Sequence, residues 1–394
     1  MDEPEPVVPF RVDIAEADLE DLRERLRETR WPVELMDNAN WQAGANLACM
    51  RELVAYWLDS YDWRAQEQAI NGFANFKTRI DGVPIHFIHE RGKGPNPMPL
   101  VVNHGWPWSF WDMQKIIRPL TDPASFGGDP ADAFDVVAPS LPGFAFSEPL
   151  DDPDMNAFAV ADLWVKLMAR LGYDRFAAEG GDIGGAVVSQ LGHKYPERLF
   201  GAHLHFIMPS KAPFPALADY GPGEEHWKPK NATLEKNWEF MRDGAAYMNI
   251  QRTRPQTIAY AMHDSPVGLA AWLIEKRRYW SDSRDGLESA FSKDDLITGV
   301  MLYWLTETYI TTARYYHNRG SGHVHDRTPV VEAPTAVIQF EGDVTLRPRR
   351  WAARYFNVQR WNVVPRGGHF APMESPERLV EDLREFFRPM RAAP

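Results

Sequence analysis

The sequence predicts an α/β fold. A mostly parallel sheet is covered by helices on both faces, with an inserted helical cap and an N-terminal wrapping segment. Two observations carry this expectation. Short apolar runs ending in turn residues alternate with stretches of helical periodicity, the pattern of βαβ units. That alternation stops over residues 209–327, a mostly helical stretch carrying Trp227, Trp238, Trp272, Trp280 and Trp304, and then resumes. The chain therefore divides into a wrapping segment (1–75), a first part of the core (76–208), the cap (209–327) and a second part of the core (328–394).

The elements follow in order. Ile14, Leu19, Leu22 and Leu26 recur at helical spacing, as do Leu53, Val54, Trp57 and Leu58, with Trp31-Pro32 breaking the chain between them. Phe76–Ile80 and Ile85–Glu90 flank Asp81-Gly82, a hairpin signal, and Pro84 points to an edge strand. Leu100–Asn103 and Phe134–Ala138 are short strands, and Ala157–Leu171 is helical. Phe176–Glu179 is a strand, followed by a glycine-rich turn and a helix over Ala186–Lys194. Ala202–Ile207, Thr335–Phe340 and Trp361–Val364 read as strands, and Pro348–Tyr355 and Pro376–Phe387 as helices. A cap inserted here would lie over the carboxyl ends of the strands, where open α/β sheets bind ligands. A separate helical domain is the alternative. Asn318–Asp326 is the expected flexible segment.

Composition narrows the function. The 394 residues are 44% apolar and 25% charged, which excludes a wholly disordered chain. The net charge, 43 − 55 = −12, argues against nucleic acid or an anionic membrane surface as the main partner. Cys49 stands alone, so no internal disulfide forms, and it reads as a buried small hydrophobe. Asp2, Glu3 and Glu5 give the N-terminus the wrong charge for a signal peptide, and no run approaches the ~20 apolar residues of a spanning helix. The expectation is a cytoplasmic protein without a membrane anchor. His203-x-His205 and His323-x-His325 lack the third and fourth ligands a zinc site needs, and read as core or surface histidines. Arg347, Arg349 and Arg350 read as a solvated helix face.

The chemistry lies in three loops. Gly180-Gly181-Asp182-Ile183-Gly184 sits between a strand and a helix in the G-x-Nu-x-G form, with aspartate at the nucleophile position. Such a turn is sharp, so only small residues fit two before and two after the exposed side chain. A dinucleotide loop fails, because Asp182 or Ile183 falls where a glycine is required. An aspartate capping the next helix is the other reading. His104-Gly105-Trp106-Pro107 follows an earlier strand and suits an oxyanion loop, whose donors would be the Trp106 and Ile183 amides. Gly367-Gly368-His369-Phe370 precedes the last helix, where His369 suits a general base. A carboxylate in Phe340-Glu341-Gly342-Asp343 would orient its ring; Asp343 and Glu341 compete for that role. The order Asp182, Asp343, His369 is the nucleophile–acid–base order of α/β-hydrolases.

With these motifs in hand, the chain resembles the microsomal and juvenile hormone epoxide hydrolase family of the α/β-hydrolase fold, nearly end to end. H-G-x-P matches residues 104–107, G-G-D matches 180–182, and R-G-G-H-F matches 366–370. The family often has tryptophan after the aspartate; here Ile183 takes that place and keeps the amide. The resemblance implies that Asp182 forms a covalent ester with an epoxide and that His369, held by Asp343, drives its hydrolysis to a vicinal diol. It implies by motif position that Tyr247 and Tyr316 bind and protonate the epoxide oxygen, with Tyr315 adjacent to the second. It implies no metal or organic cofactor and admits a homodimer, and the tryptophans of the cap and of residues 104–112 suggest an apolar pocket and hence a small apolar epoxide as partner. Two rivals share the fold. A haloalkane dehalogenase would need halide-binding donors, which Ile183 does not supply through its side chain. A non-catalytic ligand-binding relative would lack a triad member.

Overall fold

The computed structural model describes residues 5–150, 152–207, 215, 217–227, 244–318 and 330–391. Among these residues nine strands form one sheet in the order β1-β2-β3-β5-β4-β6-β7-β8-β9. The strands are β1 Val8–Pro9, β2 Asn75–Ile80, β3 Val83–Glu90, β4 Met98–Asn103, β5 Phe134–Pro139, β6 Phe176–Gly180, β7 Leu199–Leu204, β8 Val331–Phe340 and β9 Phe356–Val364. The pairs from β5 to β9 are parallel, and β1, β2 and β3 join antiparallel.

The central strands are apolar along their length because helices cover both faces. Leu100, Val101, Val102, Val136, Val137, Ala177 and Ala178 are wholly buried, so apolar side chains serve on both faces instead of alternating. Helix α5 (Ala157–Arg170) packs beside α6 (Asp182–Lys194), and α6 leans on β6, β7 and β8. Its glycine-containing face permits that approach: a side chain at Gly192 would come within 2.6 Å of Val331.

The wrapping segment holds α1 (Glu16–Arg27), α2 (Leu47–Asp59) and α3 (Trp63–Asn71), and α4 (Gln114–Thr121) lies between β4 and β5 in the chain. Leu19, Leu22 and Leu26 are buried, as the spacing predicts. The segment also adds β1 to the sheet, which helical periodicity could not reveal in a two-residue strand. Cap helices α7 (Ala246–Thr253), α8 (Pro255–Asp264), α9 (Pro266–Trp280), α10 (Lys293–Trp304) and α11 (Tyr309–His317) lie between β7 and β8 in the chain. They share one apolar core with the sheet.

Four expectations need correction. Strand β3 is interior, between β2 and β5; β5 pairs only with Phe87–Glu90, so Pro84 lies beyond that ladder and costs it no hydrogen bond. Helix α6 begins at Asp182 and not at Ala186. Cys49 is half-buried. Arg347 is buried, not solvated: its N–H donates to Gln339 Oε1 at 2.6 Å and its carbonyl accepts from Gln339 Nε2 at 3.0 Å, which folds the loop back under β8. Burial pulls its guanidinium down to about 10, while Arg349 and Arg350 are exposed. Trp238, His323 and His325 lie outside the described residues, as does most of 318–326.

Candidate active site

The turn from β6 into α6 holds Asp182 at φ +51°, a left-handed conformation uncommon for a residue with a side chain. The constraint is visible around it. A Cβ at Gly180 would sit 2.7 Å from the Gly184 backbone, and one at Gly184 would sit 2.3 Å from the Asn103 carbonyl oxygen. Gly181 is equally forced, since its Cβ would lie 1.9 Å from His205 Nε2. The second glycine of the G-G-D motif thus reports a histidine packed beneath the turn, a neighbour that no local pattern announces.

Strand β4 runs beside β6, with Asn103 opposite Gly180, so the loop after β4 emerges next to Asp182. The Trp106 N–H donates to Asp182 Oδ1 at 2.9 Å. His104 shapes this loop. Its Nε2 accepts the Leu141 N–H at 3.0 Å, which leaves Nδ1 to donate to the Gly105 carbonyl at 3.0 Å. Burial lowers its pKa to about 4, so it is a neutral structural group. The Trp106-Pro107 bond is cis. Ile183 stands in the first turn of α6, directly after the aspartate.

At the other side of the site, β8 and β9 end in register, Phe340 opposite Val364. The loops that follow bring His369 Nδ1 to 3.0 Å from Asp343 Oδ1. His369 Nε2 lies 3.4 Å from Asp182 Oδ2, an ion-pair distance longer than a well-formed hydrogen bond. Asp343 and His369 are buried, whereas Glu341 is half-buried on the same loop. Burial disfavours the imidazolium, but the charges and hydrogen bonds of Asp343 and Asp182 outweigh it and raise the His369 pKa to about 10.

The cap contributes aromatic rings. Tyr247, near the start of α7, and Tyr316, near the end of α11, bring their hydroxyls to 3.5 Å. The Tyr247 ring stacks on Trp106 at 5.2 Å, and Tyr316 meets the same indole edge-on at 5.7 Å. Both phenols therefore stand beside the residue whose amide holds Asp182. Tyr315 turns away, donating to the Pro142 carbonyl at 2.9 Å. Trp280 contacts Trp106, Tyr247 and His369 with its ring, and its carbonyl accepts the His369 N–H at 3.0 Å.

Arg277, Asp112 and Glu179 had no signal in the sequence, and His203-x-His205 reads there only as core or surface histidines, which the structure buries. Arg277 on α9 pairs with Asp112 at 2.5 Å and donates to the Pro107 carbonyl at 3.2 Å, tying the cap to the loop of Trp106. Glu179 and His205 form a buried pair at 2.6 Å under the turn, and His203 pairs separately with Asp382 at 3.0 Å. Among the described residues, no group of three or more His, Cys, Asp or Glu side chains could hold a metal ion, and no helix is long and apolar enough to cross a membrane.

Known proteins share this arrangement of chain. A family model described as the epoxide hydrolase N terminus matches residues 7–113, and one described as the alpha/beta hydrolase fold matches residues 98–376. The chain is 40% identical to a putative epoxide hydrolase of Stigmatella aurantiaca, over 98% of this chain and 86% of that one. It is 35% identical to epoxide hydrolase 1 of Oryctolagus cuniculus, over 98% and 89% of the two chains. Among solved structures, the juvenile hormone epoxide hydrolase of Bombyx mori superposes with a TM-score of 0.87 at 27% identity, covering 98% of this chain and 95% of that one. The epoxide hydrolase of Aspergillus niger gives 0.85 at 28% identity, over 98% and 97%.

Proposed function

Because the chain belongs to the epoxide hydrolase family, we propose that it opens an epoxide in two steps through an ester on Asp182. The observation that carries this is the placement of one carboxylate between the Trp106 N–H at 2.9 Å and His369 Nε2 at 3.4 Å.

In the first step Asp182 Oδ2 attacks an epoxide carbon, forming a C–O bond as the ring C–O bond breaks. Oδ1 stays on the Trp106 amide and becomes the ester carbonyl oxygen. The departing ring oxygen takes a proton from the Tyr247 and Tyr316 pair, because an unprotonated alkoxide is a poor leaving group. In the second step His369 removes a proton from water, and the hydroxide attacks the ester carbon. Trp106 and Ile183 amides hold the oxyanion, and Asp343 keeps the imidazole oriented. Collapse expels the alkoxide, which takes from His369 the proton that came from water, and so releases the diol with an oxygen from Asp182.

The raised pKa of His369 sets the order of these steps. At neutral pH the free enzyme holds an imidazolium between two carboxylates, which cannot accept a proton. Ester formation removes the charge of Asp182, and with it part of what stabilises the imidazolium. The proton His369 then gives up replaces the one the tyrosines lost. His369 becomes a base only once there is an ester to cleave. After hydrolysis the new carboxyl proton returns to it, and the cycle closes.

The rings of Trp106, Tyr247, Trp280 and Tyr316 pack on one another beside Asp182, and Ile183 follows it in the chain, aromatic and apolar surroundings that suit an apolar epoxide. Incubation with styrene oxide and, separately, with a chloroalkane tests the class. The expected result is diol from the first and no halide from the second. Halide release would make it a dehalogenase, and neither product would leave a ligand-binding protein.

A further inference from the structure

The C-terminal end of α9 is stitched to the loop that carries His369. The His369 N–H donates to the Trp280 carbonyl at 3.0 Å, and the Gly367 N–H donates to Asp282 Oδ2 at 3.0 Å. Glu374 closes the seam. Its Oε1 accepts the N–H of Phe370, the residue after His369, at 2.9 Å, while its Oε2 accepts the N–H of Asp282 at 2.7 Å. One carboxylate thus spans the cap and the base loop with one oxygen on each. The two backbones are in close contact there, for a Cβ at Gly368 would sit 2.6 Å from the Asp282 nitrogen.

We propose that Glu374 is a positioning residue that sets the place and charge environment of His369 by clamping its loop to the cap helix. This rests on the reading of His369 as the base of the second step. The charged groups around the clamp are Asp343 and His369 from the core loops, and Asp282, which is itself paired with Arg284 and Arg366. Burial pushes the Glu374 carboxyl up to about 7, against the lowering effect of its two backbone donors. Once ionised, above about pH 7, its negative charge favours the imidazolium of His369, and loss of that charge makes the ring easier to deprotonate.

Glu374→Gln keeps one acceptor but turns an NH₂ donor against the second N–H, so the clamp opens on one side. Single-turnover measurements with styrene oxide resolve ester formation from ester hydrolysis. In Glu374→Gln, hydrolysis should slow about tenfold while ester formation stays within about twofold, since a small misplacement of the base affects only the step that uses it. The acid limb of the hydrolysis-rate profile should move to lower pH. Glu374→Asp, which keeps the charge, should leave that limb in place, and serves alone if the glutamine variant does not fold. Equal slowing of both steps, an unshifted limb in Glu374→Gln, or a limb that moves in Glu374→Asp overturns the proposal. Should His369→Gln itself fail to accumulate ester, the underlying reading of His369 falls first; if it does accumulate ester and the Glu374 variants behave like wild type, only the clamp is lost.

Discussion

The sheet side of the site and the cap side are held by different physics. On the sheet side, Asp182, Asp343 and His369 follow the carboxyl ends of the parallel strands β6, β8 and β9, and backbone contacts at Gly180 and Gly184, with the His205 ring at Gly181, leave no space for alternatives in the turn. On the cap side, Tyr247 and Tyr316 stand on two different helices and meet through rings packed on Trp106 and Trp280. Hydrogen bonds and strain fix the attacking carboxylate to a direction. Aromatic packing fixes the phenols to a surface rather than to a direction. On the proposed mechanism, the nucleophile and base would set the reaction, and the cap would set how the ring oxygen is received.

If that division is right, substitutions on the two sides should affect different steps. The largest effect belongs to the cap. Tyr247→Phe or Tyr316→Phe should slow ester formation by roughly 10²–10⁴-fold, the range of general acid catalysis, and the double change should nearly abolish it. Tyr315→Phe should be mild, because its hydroxyl is spent on the Pro142 carbonyl. Wild-type rates of ester formation in both single variants would remove the tyrosines from the mechanism.

A smaller effect, confined to the other step, is expected on the sheet side. Asp343→Asn should slow ester hydrolysis more than ester formation, on the order of 10²-fold, because it disturbs only His369. Glu341→Gln should do much less. Steady-state rates and the burst of ester separate the two steps, and the reverse ranking would transfer the acid role to Glu341.

The smallest effect is thermodynamic. His369 has a folded-state pKa near 10, above its usual 6.5, so its ion pairs contribute stability that is fully present below about pH 6.5 and is lost as the pH rises toward 10. The melting temperature of the wild type, measured against that of His369→Gln, should therefore fall across this window. A constant difference would mean that the imidazole is neutral in the free enzyme.

The two sides also differed in how much of them could be read in advance. The sheet side writes its demands locally: a strand, two glycines two residues either side of one aspartate, and a late Gly-Gly-His before a helix. Each arises from a steric or topological need within a few residues, so the α/β architecture and the candidates Asp182 and His369, which the structure brings within 3.4 Å of each other, could be read from them. The cap leaves no such trace. Any of 13 tyrosines could pack a core, and only the family resemblance singled out Tyr247 and Tyr316. Glu374 meets Asp282 across 92 residues and Arg277 meets Asp112 across 165, and pairs this distant impose no period or spacing. Arg347 misled for the same reason. Its charge and neighbours suggested solvent, but two hydrogen bonds to Gln339 turn it inward.

The covalent ester is the centre of this account, and isotope placement tests it directly. With enzyme in excess, one turnover in heavy-oxygen water should give mostly unlabelled diol, and the peptide containing residues 180–185 should gain the label at Asp182. His369→Gln should instead leave substrate attached to that peptide, and Asp182→Asn should show neither label nor adduct. Water activated by His369 and attacking the epoxide directly would give labelled diol on the first turnover and an unlabelled Asp182, and that result would contradict the account even in an active epoxide hydrolase.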